Sequence, residues 1–209
     1  MTLFVKKTLR KAQNHEKVGE LALAKELYKQ VLAKFPKNKE AIFGYQKLKA
    51  DISSTSINAI EPPEDNIQKL LNIYNQGKFQ EALSEVKPLI NLFPKSTILL
   101  NIEGSANDAL KNYQGAVISY KKALEIKPNC AETYFNLGNT FKNMNHFEAA
   151  VDSYKKAIKN KPDDAEAYCN MSNAYQLKGD LNAAIENYQH AIKLRPNLFV
   201  AYNNMGEAL

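Results

Sequence analysis

The sequence predicts an all-α fold, a row of stacked helical hairpins, on three observations. Pro94, Pro128, Pro162 and Pro196 are each 34 residues apart in a chain of 209 residues, and a fixed period of that size is the signature of a repeat architecture. Cut at that period, units 131–164 and 165–198 agree at 12 of 34 positions, where about 2 matches are expected by chance at a match rate of about 6% per residue. Within each unit, small and apolar residues recur at helical spacing in two stretches separated by a turn residue. The composition is that of an ordinary globular chain, 44% hydrophobic and 24% charged with 2 Cys, which excludes a disordered segment or a disulfide scaffold.

The elements follow in order. Residues 5–38 fit the period through Ala12, Gly19, Ala24, Tyr28, Val31 and Pro36, and a further helix is predicted over about Lys39–Ala50. From Asp51 the period fails. Asp51-Ile52-Ser53-Ser54-Thr55-Ser56-Ile57-Asn58 and the following Glu61-Pro62-Pro63 favour turns and extended chain over helix. The spacing from Pro36 to Pro94 is 58 residues, not two periods, so the two sides are out of register. The predicted organisation is a module over 1–50, a linker over 51–62, and a main array over 63–209 with units 63–96, 97–130, 131–164 and 165–198 and a partial unit 199–209.

Unit 63–96 keeps Ala82, Leu89 and Pro94 but carries Pro88 inside its second helix, where a kink or a shortened helix is expected. Unit 97–130 keeps Leu100, Gly104, Ala116, Tyr120, Ala123 and Pro128, with Glu103 and Asn107 where apolar residues are usual. Unit 131–164 predicts helices over about Ala131–Met144 and Phe147–Lys159. Asn145, Gly77 and Gly179 mark the turns inside their units, where a left-handed backbone is required.

In unit 131–164, Tyr134, Leu137, Gly138, Phe141, Ala150, Tyr154, Ala157 and Pro162 form the pattern of large and small residues of the tetratricopeptide repeat. The next unit supplies Tyr168, Met171, Ser172, Tyr175, Ala184, Tyr188, Ala191 and Pro196, and the partial unit Tyr202, Met205 and Gly206. The chain thus resembles the tetratricopeptide family over about 190 residues, a likeness that implies a right-handed α-α superhelix whose first helices line a concave groove. Gly138 and Ala150 are small where helices approach, and Tyr134 and Tyr154 fill space between hairpins.

The net charge of +6 is uneven. Residues 1–50 hold 12 Lys/Arg and 4 Asp/Glu, a balance of +8, against −2 for the remainder. These lysines are spread along helices with no nucleic-acid motif beside them, which reads as a solvated surface and argues against nucleic acid as a partner. No apolar run reaches the length of a membrane span or a signal core, since Lys6 and Lys7 interrupt the first residues, and cytoplasmic residence is expected. Cys130 and Cys169 have no paired spacing and are expected to be reduced. No phosphate-binding, zinc-protease or nucleophile-elbow motif occurs, and His15, His146 and His190 fall at unrelated places in their units. No catalytic constellation, metal site or cofactor is predicted.

Asparagine is the feature beyond the scaffold's needs. Asn136, Asn170 and Asn204 share the sixth place of three consecutive units, and Asn139 and Asn173 the ninth, although Asn in a helix interior costs roughly 0.7 kcal/mol relative to Ala. The stretch Ala167-Tyr168-Cys169-Asn170-Met171-Ser172-Asn173-Ala174 is most similar to the superhelical repeats of O-linked N-acetylglucosamine transferase, a resemblance that implies an inner asparagine ladder holding an extended peptide. An amide matches both C=O and N–H of a peptide unit. Hairpins stacked at about 10 Å would meet every third residue of a chain advancing about 3.3 Å per residue. The alternative is that these amides only bridge neighbouring helices. The same register adds Asn101, Phe135, Lys142, Asn143 and Gln176 to the predicted groove. Phe135, Cys169 and Asn203 occupy the fifth place where carboxylate-clamp repeats carry basic residues, which argues against a chaperone tail.

The functional expectation is a scaffold, itself no enzyme, that binds an extended segment of another protein. Two alternatives stand beside it. Because the sequence stops at Leu209 inside a first helix, it could be the substrate-recognition arm of a larger glycosyltransferase, sulfotransferase or oxygenase, or it could self-associate through Tyr202 and Met205.

Overall fold

The computed structural model describes residues 3–55 and 61–209, which form twelve α-helices and no strand. The chain divides into two compact units, one of Met1–Asn66 with Ser84–Ser96 and one of Ile67–Leu83 with Thr97–Leu209.

In the first unit, α1 (Leu3–Lys17), α2 (Leu21–Lys34) and α3 (Lys39–Thr55) pack in sequence. Val5, Leu9 and Ala12 bury one stripe of α1 against Ala24, Tyr28 and Val31 of α2 and against Ala41 and Leu48 of α3. The spacing of these residues is that of an amphipathic helix face. The helix expected to end near Ala50 continues to Thr55, so Asp51–Thr55 is helical rather than extended. Five polar or β-branched residues lower helix propensity by only a few tenths of a kcal/mol each, about 2 kcal/mol together, which a helix already nucleated upstream can carry. The remainder of the predicted linker includes residues 56–60, which lie outside the described residues. After Glu61, Pro62 and Pro63, α4 (Glu64–Asn75) begins.

Pro88 does not shorten its helix. α5 (Phe79–Leu92) has 14 residues, as do α7 (Tyr113–Ile126), α9 (Phe147–Asn160) and α11 (Leu181–Leu194). Proline's φ is compatible with helix, and its cost is the missing N–H toward the carbonyl four residues back. That residue is Ser84, the point at which the two compact units divide.

In the second unit, α6 (Thr97–Ala109) pairs with α7, α8 (Ala131–Asn143) with α9, and α10 (Ala165–Lys178) with α11, while α12 (Phe199–Ala208) packs on α11. The second helix of each hairpin also packs on the first helix of the next, and α6, α8, α10 and α12 touch one another in a row. Tyr120, Tyr154 and Tyr188 are buried at one equivalent place in three hairpins. A Cβ on Gly104 would lie 2.5 Å from the Tyr120 ring and one on Gly138 2.7 Å from that of Tyr154, so both glycines are demanded by the tyrosine of their own hairpin. Gly206 is different: a Cβ there meets nothing within 4 Å.

The turn residue at the fifteenth place has positive φ in every hairpin where it is described. Gly19, Gly77, Asn145 and Gly179 hold it, in accord with the sequence for the three predicted turns. Lys111 adopts the same conformation with φ 60°, which no sequence cue announced. The polar exceptions of α6 are satisfied internally. Ser119 Oγ donates to Glu103 Oε2 at 2.8 Å, and Asn107 takes a bond from Asn112 Nδ2 at 2.8 Å. Of the two residues expected to be exposed at the last helix, Tyr202 is, but Met205 packs on the cluster around Tyr188 and Ala201.

Candidate functional site

The row of first helices brings the predicted asparagines together. Asn139 Oδ1 accepts from the Tyr154 hydroxyl at 2.7 Å and from Asn170 Nδ2, one hairpin on, at 3.2 Å. One repeat later the pattern recurs: Asn173 Oδ1 accepts from the Tyr188 hydroxyl at 2.5 Å and from Asn204 Nδ2 at 2.8 Å. Asn173 Nδ2 reaches Asn170 Oδ1 at 3.5 Å, and Gln176 Oε1 stands 2.9 Å from the Tyr188 hydroxyl. The amides therefore do bridge neighbouring helices, through bonds that run from α8 to α10 and from α10 to α12.

The bridging uses the two groups of each amide unequally. A side-chain amide has one oxygen that accepts twice and a nitrogen that donates twice. Asn139 and Asn173 spend both acceptor positions inside the protein. On the donor side, both N–H bonds of Asn139 and one each of Asn170 and Asn173 have no partner among the described residues, nor has the side chain of Asn136, while Asn204 also donates toward the Tyr188 hydroxyl. All five are half-buried, and this row of first helices presents spare N–H donors in a line.

The other predicted positions flank the line. Phe135 is half-buried with its ring edge-on to Tyr154, centroids 6.0 Å apart. Lys142 is half-buried, and burial lowers its ammonium from the ordinary value while the Cys169 thiol close by raises it. Burial pushes the Cys169 thiol up, and Lys142 pulls it back. Asn143 is exposed and donates to Asp108 Oδ2 at 3.3 Å. Asn101 Nδ2 donates to the Thr97 carbonyl at 2.9 Å, while its Oδ1 is buried with no hydrogen-bond partner.

The sequence reading missed Tyr120, Tyr154 and Tyr188 as members of the site. Their burial pushes each hydroxyl's pKa up, to about 12 for Tyr188, so each is a neutral donor across the physiological range. The signal was available: the tyrosine recurs at the twenty-fourth place wherever the ninth place is Ser105, Asn139 or Asn173. It also missed Asp108, which lies near Tyr74, Tyr120 and Tyr154 and raises all three.

No group of His, Cys, Asp or Glu suited to a metal ion occurs among the described residues. His15 bonds to Glu20, His190 stacks on Tyr168 and His146 on Phe141, so the three histidines have local packing roles. Cys130 and Cys169 are free thiols. No helix among the described residues is long and apolar enough to cross a membrane.

A family model described as the TPR repeat matches residues 104–145, 144–179 and 173–209, half of the chain, on the helices that carry the ladder. The chain belongs to the tetratricopeptide-repeat family. Solved structures agree on the fold of this TPR chain. MamA is 23% identical over 94% of each chain with TM-score 0.55. YrrB, described as a TPR protein with an unusual peptide-binding site, is 17% identical over 97% of each chain with TM-score 0.59. The first TPR of Spaghetti (RPAP3), solved bound to the HSP90 peptide SRMEEVD, is 20% identical over 54% of this chain and 89% of its own, with TM-score 0.52. No curated protein matches the sequence closely enough to count as a relative.

Proposed function

We propose that this TPR chain is a protein-interaction scaffold whose first helices α6, α8, α10 and α12 hold an extended segment of another protein. The observation that carries this reading is the asymmetry of the ladder. The acceptors of Asn139 and Asn173 are consumed by tyrosine and neighbouring amide donors, and N–H groups are left over along the successive first helices α8 and α10. Such a row suits the carbonyls of an extended backbone, which carries one acceptor per residue whatever its side chains. YrrB and Spaghetti, each a TPR structure with a peptide site, support a ligand of this class. An acidic tail is disfavoured here, because Phe135, Cys169 and Asn203 stand where a carboxylate would need cations. The same groove would serve if the chain were the recognition arm of a larger enzyme.

The test is a selection from a displayed library of random dodecapeptides, followed by titration of a selected peptide against the wild type and Asn136→Ala. Asn136 makes no side-chain bond among the described residues and Ala is favoured in a helix by roughly 0.7 kcal/mol, so its replacement does not lower the melting temperature while affinity drops about 5-fold, the worth of one hydrogen bond of about 1 kcal/mol. Unchanged affinity, or a library from which nothing is enriched, refutes the reading.

A further inference from the structure

The ladder is missing its rung between α6 and α8, and a pocket stands there instead. The ninth place of α6 is Ser105, whose hydroxyl lies 3.0 Å from that of Tyr120, as Asn139 does to Tyr154. Ser105 is too short to reach the next helix as well, so Asn136 receives no bond from α6. The pocket has a volume of about 240 Å³, below the roughly 300 Å³ at which sites for whole small molecules begin, and of a size for one side chain. Leu71, Tyr74 and Ile102 form its apolar wall, and Asn101, Asn136 and Glu132 its polar one; no Lys, Arg or His lines it.

Its polar groups lack donors. Asn101 Oδ1 is buried and unpartnered, and so is Asp108 Oδ1, which lies outside the pocket lining, two turns along the same face of α6 and near enough to the lining Tyr74 to raise its pKa. Residues 101, 105 and 108 follow the i, i+4, i+7 spacing that aligns them on a helix. The other oxygen of Asp108 takes only a neutral amide, from Asn143 at 3.3 Å. Glu132, exposed at the rim, makes no ion pair among the described residues. A half-buried carboxylate without a cationic partner is unfavourable, and a cation in the adjoining pocket lessens that cost.

We propose that this pocket holds an arginine side chain of the bound segment, an inference that rests on the groove reading above and names its anchor. The three-carbon stem lies against Leu71 and Ile102, and the guanidinium over the Tyr74 ring. Its donors serve Asn101 Oδ1 and the Glu132 carboxylate, and the charge of Asp108 near Tyr74 favours the cation. Arginine fits better than lysine because a planar fork with five donors can satisfy acceptors in different directions and stack on an aromatic face at once. Backbone carbonyls on the amide ladder then give affinity without sequence preference, and the pocket sets the register. One hairpin step from it, about three residues along an extended chain, lies the first complete rung at Asn139 and Asn170.

The experiment titrates the isotopically labelled full chain with Nα-acetyl-arginine amide and Nα-acetyl-leucine amide, followed by amide resonances. The arginine probe is expected to bind at least 5-fold more tightly, to move the signals of Asn101, Ser105 and Asn136, and to weaken as salt rises. Asp108→Asn with Glu132→Gln brings the two probes within 2-fold of each other; Glu132→Gln alone, at an exposed residue, halves the preference or more. Equal binding of the two probes, shifts confined to other residues, or a preference indifferent to these substitutions overturns the pocket. A second titration uses blocked heptapeptides of Gly and Ser with a central Arg or Leu. If both bind equally and Asn136→Ala weakens both, the arginine pocket is wrong and the groove reading stands. Binding of the arginine amide with no heptapeptide bound leaves the pocket standing and removes the groove reading, and no binding of any probe overturns both.

Discussion

Asn139 and Asn173 occupy the same place in successive repeats, yet their replacement by alanine is expected to differ in cost. Each loses an oxygen that takes a tyrosine hydroxyl and a neighbouring amide. The tyrosines decide the difference. Tyr188 keeps Gln176 Oε1 at 2.9 Å as a second acceptor, whereas Tyr154, fully buried, has Asn139 as its acceptor among the described residues. An orphaned buried hydroxyl costs about 1–3 kcal/mol, and an ordinary bond with an available replacement about 1 kcal/mol net. Alanine returns roughly 0.7 kcal/mol of helix propensity at both places. Asn139→Ala is therefore expected to destabilise by about 2 kcal/mol and Asn173→Ala by about 1 kcal/mol or less. Urea titration followed by circular dichroism measures both. Replacing Tyr154 by Phe removes the group that would be orphaned, so the double variant Asn139→Ala, Tyr154→Phe recovers about 1 kcal/mol relative to the sum of the single effects. Equal costs for the two asparagines, or strict additivity with Tyr154→Phe, would refute the wiring described for the ladder.

Three further outcomes follow from the same packing. Lys111→Gly should stabilise by about 1 kcal/mol, since Lys111 holds φ 60° at the usual penalty for a side chain in the left-handed region; a lower denaturation midpoint would contradict it. Gly138→Ala drives a Cβ to 2.7 Å from the Tyr154 ring and should cost about 1–3 kcal/mol, while Gly206→Ala, in open space, should gain about 0.8 kcal/mol of helix propensity, so thermal melts of the two must move in opposite directions. In alkali, burial holds the Tyr188 pKa at about 12 in the folded state, against about 10 unfolded. The unfolded state then gives up its proton first, and stability is flat below pH 10 and falls as pH rises from about 10 to about 12. Tyr188→Phe should lessen that fall, as read by urea midpoints at successive pH values.

The architecture was legible in the sequence because packing imposes it at every repeat. Gly104 and Gly138 had to be small to admit a tyrosine ring, and the proline had to follow the second helix. The helix predicted over Ala131–Met144 is observed over Ala131–Asn143, and that over Phe147–Lys159 extends by one residue to Asn160. The failures have a common physical cause. Lys111 and the stretch Asp51–Thr55 take conformations their residues do not prefer, because tertiary context or an existing helix outweighs a local penalty of about 1 kcal/mol at Lys111 and a few tenths of a kcal/mol per residue in the stretch. Pro88 likewise proved tolerable, since one missing hydrogen bond does not end a helix otherwise packed on both sides of it. In the site, the asparagine places were visible as a pattern, but their partners were not: nothing in a one-dimensional register says that the tyrosine hydroxyl at the twenty-fourth place reaches the ninth.

That connection explains why the ninth place favours asparagine over its alternatives. The residue must accept a hydroxyl from its own hairpin and an amide from the next, which a serine cannot span and an alanine cannot begin. Aspartate could accept both, but it would bury charge beside an un-ionised tyrosine and have no hydrogen to offer outward. Asparagine alone among residues of that length joins two hairpins through its oxygen and still presents N–H groups. Ser105 shows the consequence of departing from the rule. It keeps the bond to its tyrosine and loses the link to Asn136, so the place where the ladder is structurally weakest is also the one where the inner face opens into a pocket. Recognition of a particular side chain and loss of a bridging bond are, at that junction, two results of one substitution, and restoring the link by Ser105→Asn should close the pocket to the arginine probe while raising the denaturation midpoint.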